Sequence, residues 1–250
     1  MHLKEETIAT LKQFHVGGKL PCLPELPKAS VLIPLFVRGG ELHALMTLRS
    51  KELRTSAGEV CFPGGKRDPC DRDDVDTALR EAEEEIGLPP EGVQVVCTLF
   101  PIINKVEQHI SLARHRLQAF VRSTPLHLRL PPQTGLLVTP VVGFIEESFC
   151  PVPNPAEVSA VFTVPLDFFT SNKDHHLSHG AAGTTGPLHS FYFVDPGSGS
   201  LYHIWGLTAM LAILVASLAL RKKPEFDVDF DLDDPLPYFQ QILHRRLSKL

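Results

Sequence analysis

Apolar and polar positions along this chain repeat with two different periods, and the changes between them mark its elements. Residues 30–37 (SVLIPLFV) and 41–48 (ELHALMTL) predict two strands joined at Arg38-Gly39-Gly40, a plausible hairpin turn. Residues 93–100 (VQVVCTLF) and 136–145 (LLVTPVVGFI) predict two more strands by their β-branched content. So does 160–164, which leads into Asp167-Phe168-Phe169, and 189–194 with 201–205 read as a hairpin around Asp195-Pro196-Gly197. The helical period appears in four places. Ile8, Leu11 and Phe14 set a short amphipathic helix within 1–19, ending at Gly17-Gly18. From about Val75, the residues Val75, Ala78, Leu79, Ala82 and Ile86 form one buried stripe at i, i+3, i+4 and i+7 spacing. Residues 207–220 are apolar throughout, and 237–250 predict a short basic helix. Strands alternating with two main helices predict an α/β fold with a mixed sheet covered on both faces.

Two stretches interrupt this order. Residues 106–134 sit between two predicted strands and carry Arg114, Arg116, Arg122 and Arg129, with His109, His115, His127 and one acid, Glu107. A structureless loop of that length is uncommon in a compact domain. Two readings compete: an arm that touches the 3′-phosphate end of a nucleotide, or a segment with no selected structure, such as translated intronic sequence. The second is favoured, because removing it would join Lys105 to Gly135 as an ordinary hairpin. Residues 225–234 (EFDVDFDLDD) alternate acidic with apolar, the period of a half-buried strand, with an acidic solvated linker as the alternative.

On the striped helix, Glu81, Glu84 and Glu85 share one arc beside the apolar residues at about 100° per residue, while Glu83 points away. Carboxylates at i, i+3 and i+4 repel, and partial dehydration raises the cost. A hard divalent cation, Mg²⁺ or Mn²⁺, offsets it with oxygen ligands. A solvated acidic face would be the ordinary reading of a Glu run, but this one comes with a Gly-Gly turn at Gly64-Gly65, an Asp-rich helix start and Arg80.

Gly65, Arg80-Glu81-Ala82, Glu84-Glu85 and Gly87-Leu88 together resemble the Nudix box, a loop–helix–loop signature of enzymes that hydrolyse nucleoside diphosphates linked to another group. Gly65 lies one residue farther from Arg80 than is usual there, and the acid inside the loop is Asp68 or Asp71. That departure resembles the coenzyme A branch of the family, as does the upstream run Leu45-Met46-Thr47-Leu48-Arg49-Ser50, Leu53-Arg54, Gly58-Glu59 and Phe62-Pro63-Gly64-Gly65. The resemblance implies a Nudix α/β/α sandwich and Mg²⁺- or Mn²⁺-dependent hydrolysis of coenzyme A (CoA) and acyl-CoA to 3′,5′-ADP and 4′-phosphopantetheine or its acyl derivative. Glu81 and Glu85 are the first-choice metal ligands. Glu84 is a third ligand or the base that orients water, and the Gly65 backbone carbonyl also reaches the metal. Arg80 braces the loop through Asp68 or Asp71. Arg49 and Arg54 are candidates for the nucleotide phosphates, since Arg binds phosphate bidentately. Glu59 is either near the site or an exposed strand residue. His175, His176 and His179 read as a polar variable loop. Rival readings are a Nudix enzyme for ADP-ribose or NADH, and a binding protein or impaired isoform on the same fold.

Composition narrows the rest. A net charge of −5 gives no electrostatic case for nucleic acid. Five cysteines without paired short spacing indicate a reducing compartment rather than disulfides or zinc. No secretory signal is expected, and 205–220 is shorter than the roughly 20 residues of a spanning helix. The C-terminal Ser248-Lys249-Leu250 matches a peroxisomal import address read by a receptor. The expected organisation is an N-terminal helix and linker (1–28), the catalytic domain (29–224) and a tail (225–250), in a monomer.

Overall fold

The computed structural model describes residues 2–17, 26–105, 135–173, 175–180 and 187–247. The 106–134 segment with its arginines and histidines, Cys22 and the Ser248-Lys249-Leu250 terminus lie outside the described residues. An α/β/α sandwich is present, as the resemblance implies, with the mixed sheet covered on both faces that the apolar pattern predicts. The central strand β1 (Lys28–Arg38) is apolar on both faces, so both must be covered. On one side β1 pairs antiparallel with β2 (Glu41–Arg49) through the turn at Gly39-Gly40. On the other it pairs parallel with β7 (Gly135–Phe144), which makes the sheet mixed. Beyond β7 come β5 (Gln94–Thr98) and β6 (Ile102–Lys105), both antiparallel to it. Beyond β2 lies β8 (Val158–Pro165). Where β1 and β2 diverge, β3 (Val60–Cys61) continues along β2 and β4 (Gly64–Lys66) along β1. Pro63 O accepts the N–H of Leu32 at 2.8 Å, so the turn between β3 and β4 is stitched into the sheet.

One face of the sheet carries α2 (Asp74–Ile86), the helix that packs there among the described residues. The five predicted stripe residues all pack there, with Leu32, Phe36, Leu45, Val141 and Ile145. The other face carries α1 (His2–Lys12), α3 (Gly206–Leu220) and α4 (Leu236–Leu247), together with a three-stranded sheet of β9 (His176–Gly180), β10 (Pro187–Val194) and β11 (Leu201–Trp205). Leu11, Phe230, Phe239 and Leu243 belong to the same buried cluster as α3, so the N-terminal helix and the tail pack on the core of the catalytic domain. The apolar 207–220 stretch is α3, with ten residues buried inside the sandwich. No helix among the described residues is long and apolar enough to cross a membrane.

Two expectations need correction. Residues 225–234 are not a strand, although their alternation is real: Phe226, Val228, Phe230 and Leu232 face the core while the acids between them stay exposed. The segment is an extended strap. Glu225 N–H donates to Thr170 O at 2.8 Å, and its carboxylate accepts the Asn172 N–H at 3.0 Å. Nor is the histidine cluster wholly a polar loop. His176 opens β9, is buried against Phe226 at a ring separation of 3.9 Å, and shares a 3.0 Å hydrogen bond with His189. Strand pairing with β10 turns His176 inward, under the strap. The ends of the 106–134 segment meet in register, Lys105 opposite Gly135, as expected of a hairpin interrupted at its turn.

Candidate active site

The loop before α2 is fixed by local hydrogen bonds. Asp73 caps the helix by accepting from the N–H groups of Val75 and Asp76, which satisfies two otherwise unpaired donors of the first turn. Arg80 selects Asp71 rather than Asp68. Its Nε donates to Asp71 Oδ1 at 2.9 Å and its Nη2 to Asp71 Oδ2 at 3.1 Å. Nη2 also donates to Lys66 O at 3.0 Å, tying helix, loop and β4 together. The Arg80 hydrogen bonds hold the buried Asp71 carboxyl well below the usual carboxylate range. Asp68 instead accepts the Cys70 N–H and donates its own backbone N–H to Asp71.

Gly64 and Gly65 are required by close approach. A Cβ on Gly64, whose φ is +155°, would strike Ser30 O and Val31 Cα; one on Gly65 would strike the Glu81 carboxylate. This turn brings β4 up to the acidic face of α2. Glu85 Oε2 accepts the Gly64 N–H at 3.2 Å, and Arg49 Nη1, at the end of β2, lies 3.8 Å from Oε1. The Glu85 side chain is only 2% exposed. Burial pushes its pKa up to about 7, against the opposing Gly64 N–H and Arg49, with Glu81 and Glu157 adding to the rise. Burial raises the Glu81 pKa too, opposed by Arg80 and reinforced by Glu84 and Glu157.

The predicted residues are therefore not all in one place. Glu81, Glu85, the Gly64-Gly65 turn and Arg49 come together. Glu84 lies on the outer side, 53% exposed, its Oε2 held by Arg80 Nη1 at 2.9 Å. Arg54 lies exposed on loop 50–59 and shares no described contact with the cluster. Glu59 meets Arg49 through its backbone, its carbonyl accepting the Arg49 N–H at 3.0 Å.

Glu157 is an additional residue of the site that the sequence reading passed over. Its loop closes the C-terminal end of α2: Val152 N–H donates to Ile86 O and Asn154 N–H to Glu85 O, each at 2.9 Å, and the Glu157 carbonyl accepts the Ser50 N–H at 2.8 Å. Its charge acts on the buried Glu85 and the half-buried Glu81. The only signal was its position just ahead of β8, where Val158 pairs with Arg49.

Among the described residues, no three His, Cys, Asp or Glu side chains are arranged around one point that would hold a metal. The cause is visible: Arg80 engages Glu81 Oε1 at 3.1 Å as well as Glu84. The donor chemistry nevertheless fits a hard cation, being all oxygen. The raised pKa values of Glu81 and Glu85 mark negative charge that the protein's own groups leave under-compensated. Glu81 and Glu85 could supply oxygen ligands, whereas Glu84 is held on the outer side by Arg80. Arg49 Nε is buried without a hydrogen-bond partner, which leaves a donor for a bound anion.

A mixed sheet between helical layers, with an acidic helix seated on a Gly-Gly turn, is the arrangement of a Nudix hydrolase. The chain belongs to that family: the NUDIX domain matches residues 26–175. It is similar over 252 aligned residues, at 40% identity, to peroxisomal coenzyme A diphosphatase NUDT7 of Mus musculus, a match that covers 100% of this chain and 94% of that protein. Two Arabidopsis thaliana proteins are also similar. Mitochondrial Nudix hydrolase 15 is 38% identical over 80% of this chain, and chloroplastic Nudix hydrolase 22 is 39% identical over 85%. The chain spans 61% and 63% of their lengths, respectively. Among solved structures, a MutT/nudix family protein from Enterococcus faecalis overlaps 89% of this chain and 77% of its own at 12% identity and a TM-score of 0.44, too loosely to carry an argument. Nudix hydrolases as a family use divalent metal ions.

The Glu85 shift has a sign. A carboxyl whose pKa rises from 4.5 to about 7 on folding contributes stability that is fully present below pH 4.5 and is lost as pH rises through 7. Without added metal, wild-type stability should therefore fall from pH 5 to pH 8 by up to about 3 kcal/mol from this group. Glu85→Gln should remove most of that slope while retaining a cooperative transition. Urea denaturation at the two pH values measures it; an unchanged slope in the variant would contradict the assignment.

Proposed function

We propose that this chain is a Mg²⁺- or Mn²⁺-dependent coenzyme A diphosphatase of the peroxisome. It cleaves CoA and acyl-CoA to 3′,5′-ADP and 4′-phosphopantetheine or its acyl derivative, and so regulates peroxisomal CoA. The observation that carries the reading is the likeness, over the whole chain, to a protein named as a peroxisomal CoA diphosphatase.

The residues have separable tasks in this reading. Glu81 and Glu85, with the Gly65 carbonyl, hold the cation, and Glu84 completes the set or orients the attacking water once released from Arg80. When bound, the cation offsets charge on the diphosphate and makes water a better nucleophile. The rigid Gly64 N–H keeps the Glu85 carboxylate aimed, so little reorganisation is needed at reaction. Arg49 meets the phosphates from the end of β2, and Arg54 approaches from the exposed 50–59 loop. Dehydration around Glu85 strengthens each of these interactions. The import receptor takes up the protein through Ser248-Lys249-Leu250.

The test is product analysis with Mg²⁺ on a panel of CoA, acyl-CoA, ADP-ribose and NADH. It should be run on the full chain and on one whose residues 106–134 are replaced by an Asn-Gly turn, which suits the paired ends Lys105 and Gly135. Both chains should release 3′,5′-ADP from CoA in preference to cleaving the other substrates. Faster cleavage of ADP-ribose or NADH would overturn the substrate assignment, and activity confined to the shortened chain would identify the full chain as the impaired form. For localisation, removal of residues 248–250 should leave a fluorescently tagged protein in the cytosol; continued import into peroxisomes would contradict the tail reading.

A further inference from the structure

The outward face of the β9–β10–β11 sheet has no role in the site described above. It is formed by alternate residues of each strand. Tyr192 stands opposite His203, Val194 opposite Leu201, and Ser190 between Trp205 and Leu177. The rings form a ladder: Tyr192 stacks on His203 at 4.7 Å and His203 follows Trp205 at 6.1 Å, all nearly parallel. Aliphatic residues continue it at both ends. Six large apolar side chains on this face, Leu177, Leu188, Tyr192, Val194, Leu201 and Trp205, are between 38% and 63% exposed.

The inner face of the same sheet is fully used. Phe191, Phe193, Tyr202 and Ile204 are buried against the core. A half-buried antiparallel sheet normally turns polar residues outward, whereas this one turns mostly apolar residues outward, with Ser190 and His203 among them. Its three strands, HLSHG, PLHSFYFV and LYHIW, contain no Asp, Glu, Lys or Arg. Soluble monomers rarely expose a contiguous apolar patch of more than a few hundred Å². At about 150–250 Å² for a fully open large side chain, the open fractions of these six residues amount to roughly 600 Å².

We propose that this face is the interface of a homodimer, formed by two copies of the chain packing their β9–β10–β11 sheets face to face about a two-fold axis. Such a contact buries about 1,200 Å² in total, the lower end of the range for specific interfaces. Sheets stack in this way about 10 Å apart with closely aligned strands. The absence of charge favours a second copy over other occupants. An anionic lipid surface or an acidic peptide is recognised through basic residues, and these strands have none. A two-fold axis brings the ladder onto itself with no Asp, Glu, Lys or Arg of these strands to bury. The proposed dimer departs from the monomer expected from the sequence. It does not depend on the CoA assignment.

Trp205 is the only tryptophan in the chain and lies on the face, so the wild-type protein reports its own association. Sedimentation equilibrium from about 1 to 100 μM should show the mass rising from 27.7 kDa towards twice that value, with the Trp205 emission moving to the blue over the same range. The double variant Tyr192→Glu/Leu201→Glu, both sites being exposed, should remain at the monomer mass with an unchanged unfolding midpoint. A wild-type mass of 27.7 kDa and constant emission at every concentration would overturn the proposal even if the variant failed to fold. So would a folded variant that dimerises as the wild type does, or a monomeric wild type that floats with neutral phosphatidylcholine vesicles.

Discussion

A carboxylate taken out of water must find compensation or keep its proton, and Glu85 is in that position. Its side chain is almost completely covered, with one backbone N–H at 3.2 Å and one guanidinium at 3.8 Å to oppose the loss of solvent. Those two groups come from Gly64 and Arg49, at the ends of different strands, and the loop that closes over Glu85 comes from 152–157. Three parts of the chain therefore converge on the helix residue that carries this charge. The compensation is incomplete, so the pKa stays near 7 rather than falling. A buried carboxylate left in this state favours a nearby cation.

The surroundings are built to resist that unbalanced charge. The α2 stripe fixes the helix on the sheet through Ala78, Ala82 and Ile86, all fully buried. The Asp73 cap fixes its start, and the Arg80–Asp71 pair fixes the loop before it. Charge-assisted bidentate bonds of this type are stronger and more directional than neutral ones. Arg80 also neutralises part of Glu81 and Glu84, so a cation that recruits Glu84 competes with Arg80 for it. Independently of Glu84, Arg80 braces the loop through Asp71 and Lys66 O.

Much of this was legible from residue spacing. The period of Val75 to Ile86 located the buried face, the strand runs located β1 and β2 within a residue or two, and Arg80 was given a bracing role with two candidate partners. What spacing cannot supply is depth and register. Glu84 and Glu85 are adjacent in sequence and share an arc, yet one is 53% exposed and the other 2%, because only the second lies under Gly64 and loop 152–157. Glu157 was illegible because its approach depends on the β2–β8 pairing, more than a hundred residues apart in sequence. The 225–234 alternation reported burial correctly and pairing wrongly, since a strap lying on a core shows the same period as a strand. The histidine cluster failed for the complementary reason: its polar composition hid a strand whose first residue, His176, is buried against Phe226 of that strap.

The central claim is that Glu85 is ionised only weakly in the metal-free protein because its burial is under-compensated. Carbon-13 NMR of the glutamate side-chain carboxyls across pH 4–9, with Glu85→Gln to assign the resonance, measures this directly. The Glu85 carboxyl should titrate near pH 7 without metal and at distinctly lower pH once Mg²⁺ is added. A midpoint near the ordinary 4.5 that does not respond to Mg²⁺ would contradict it.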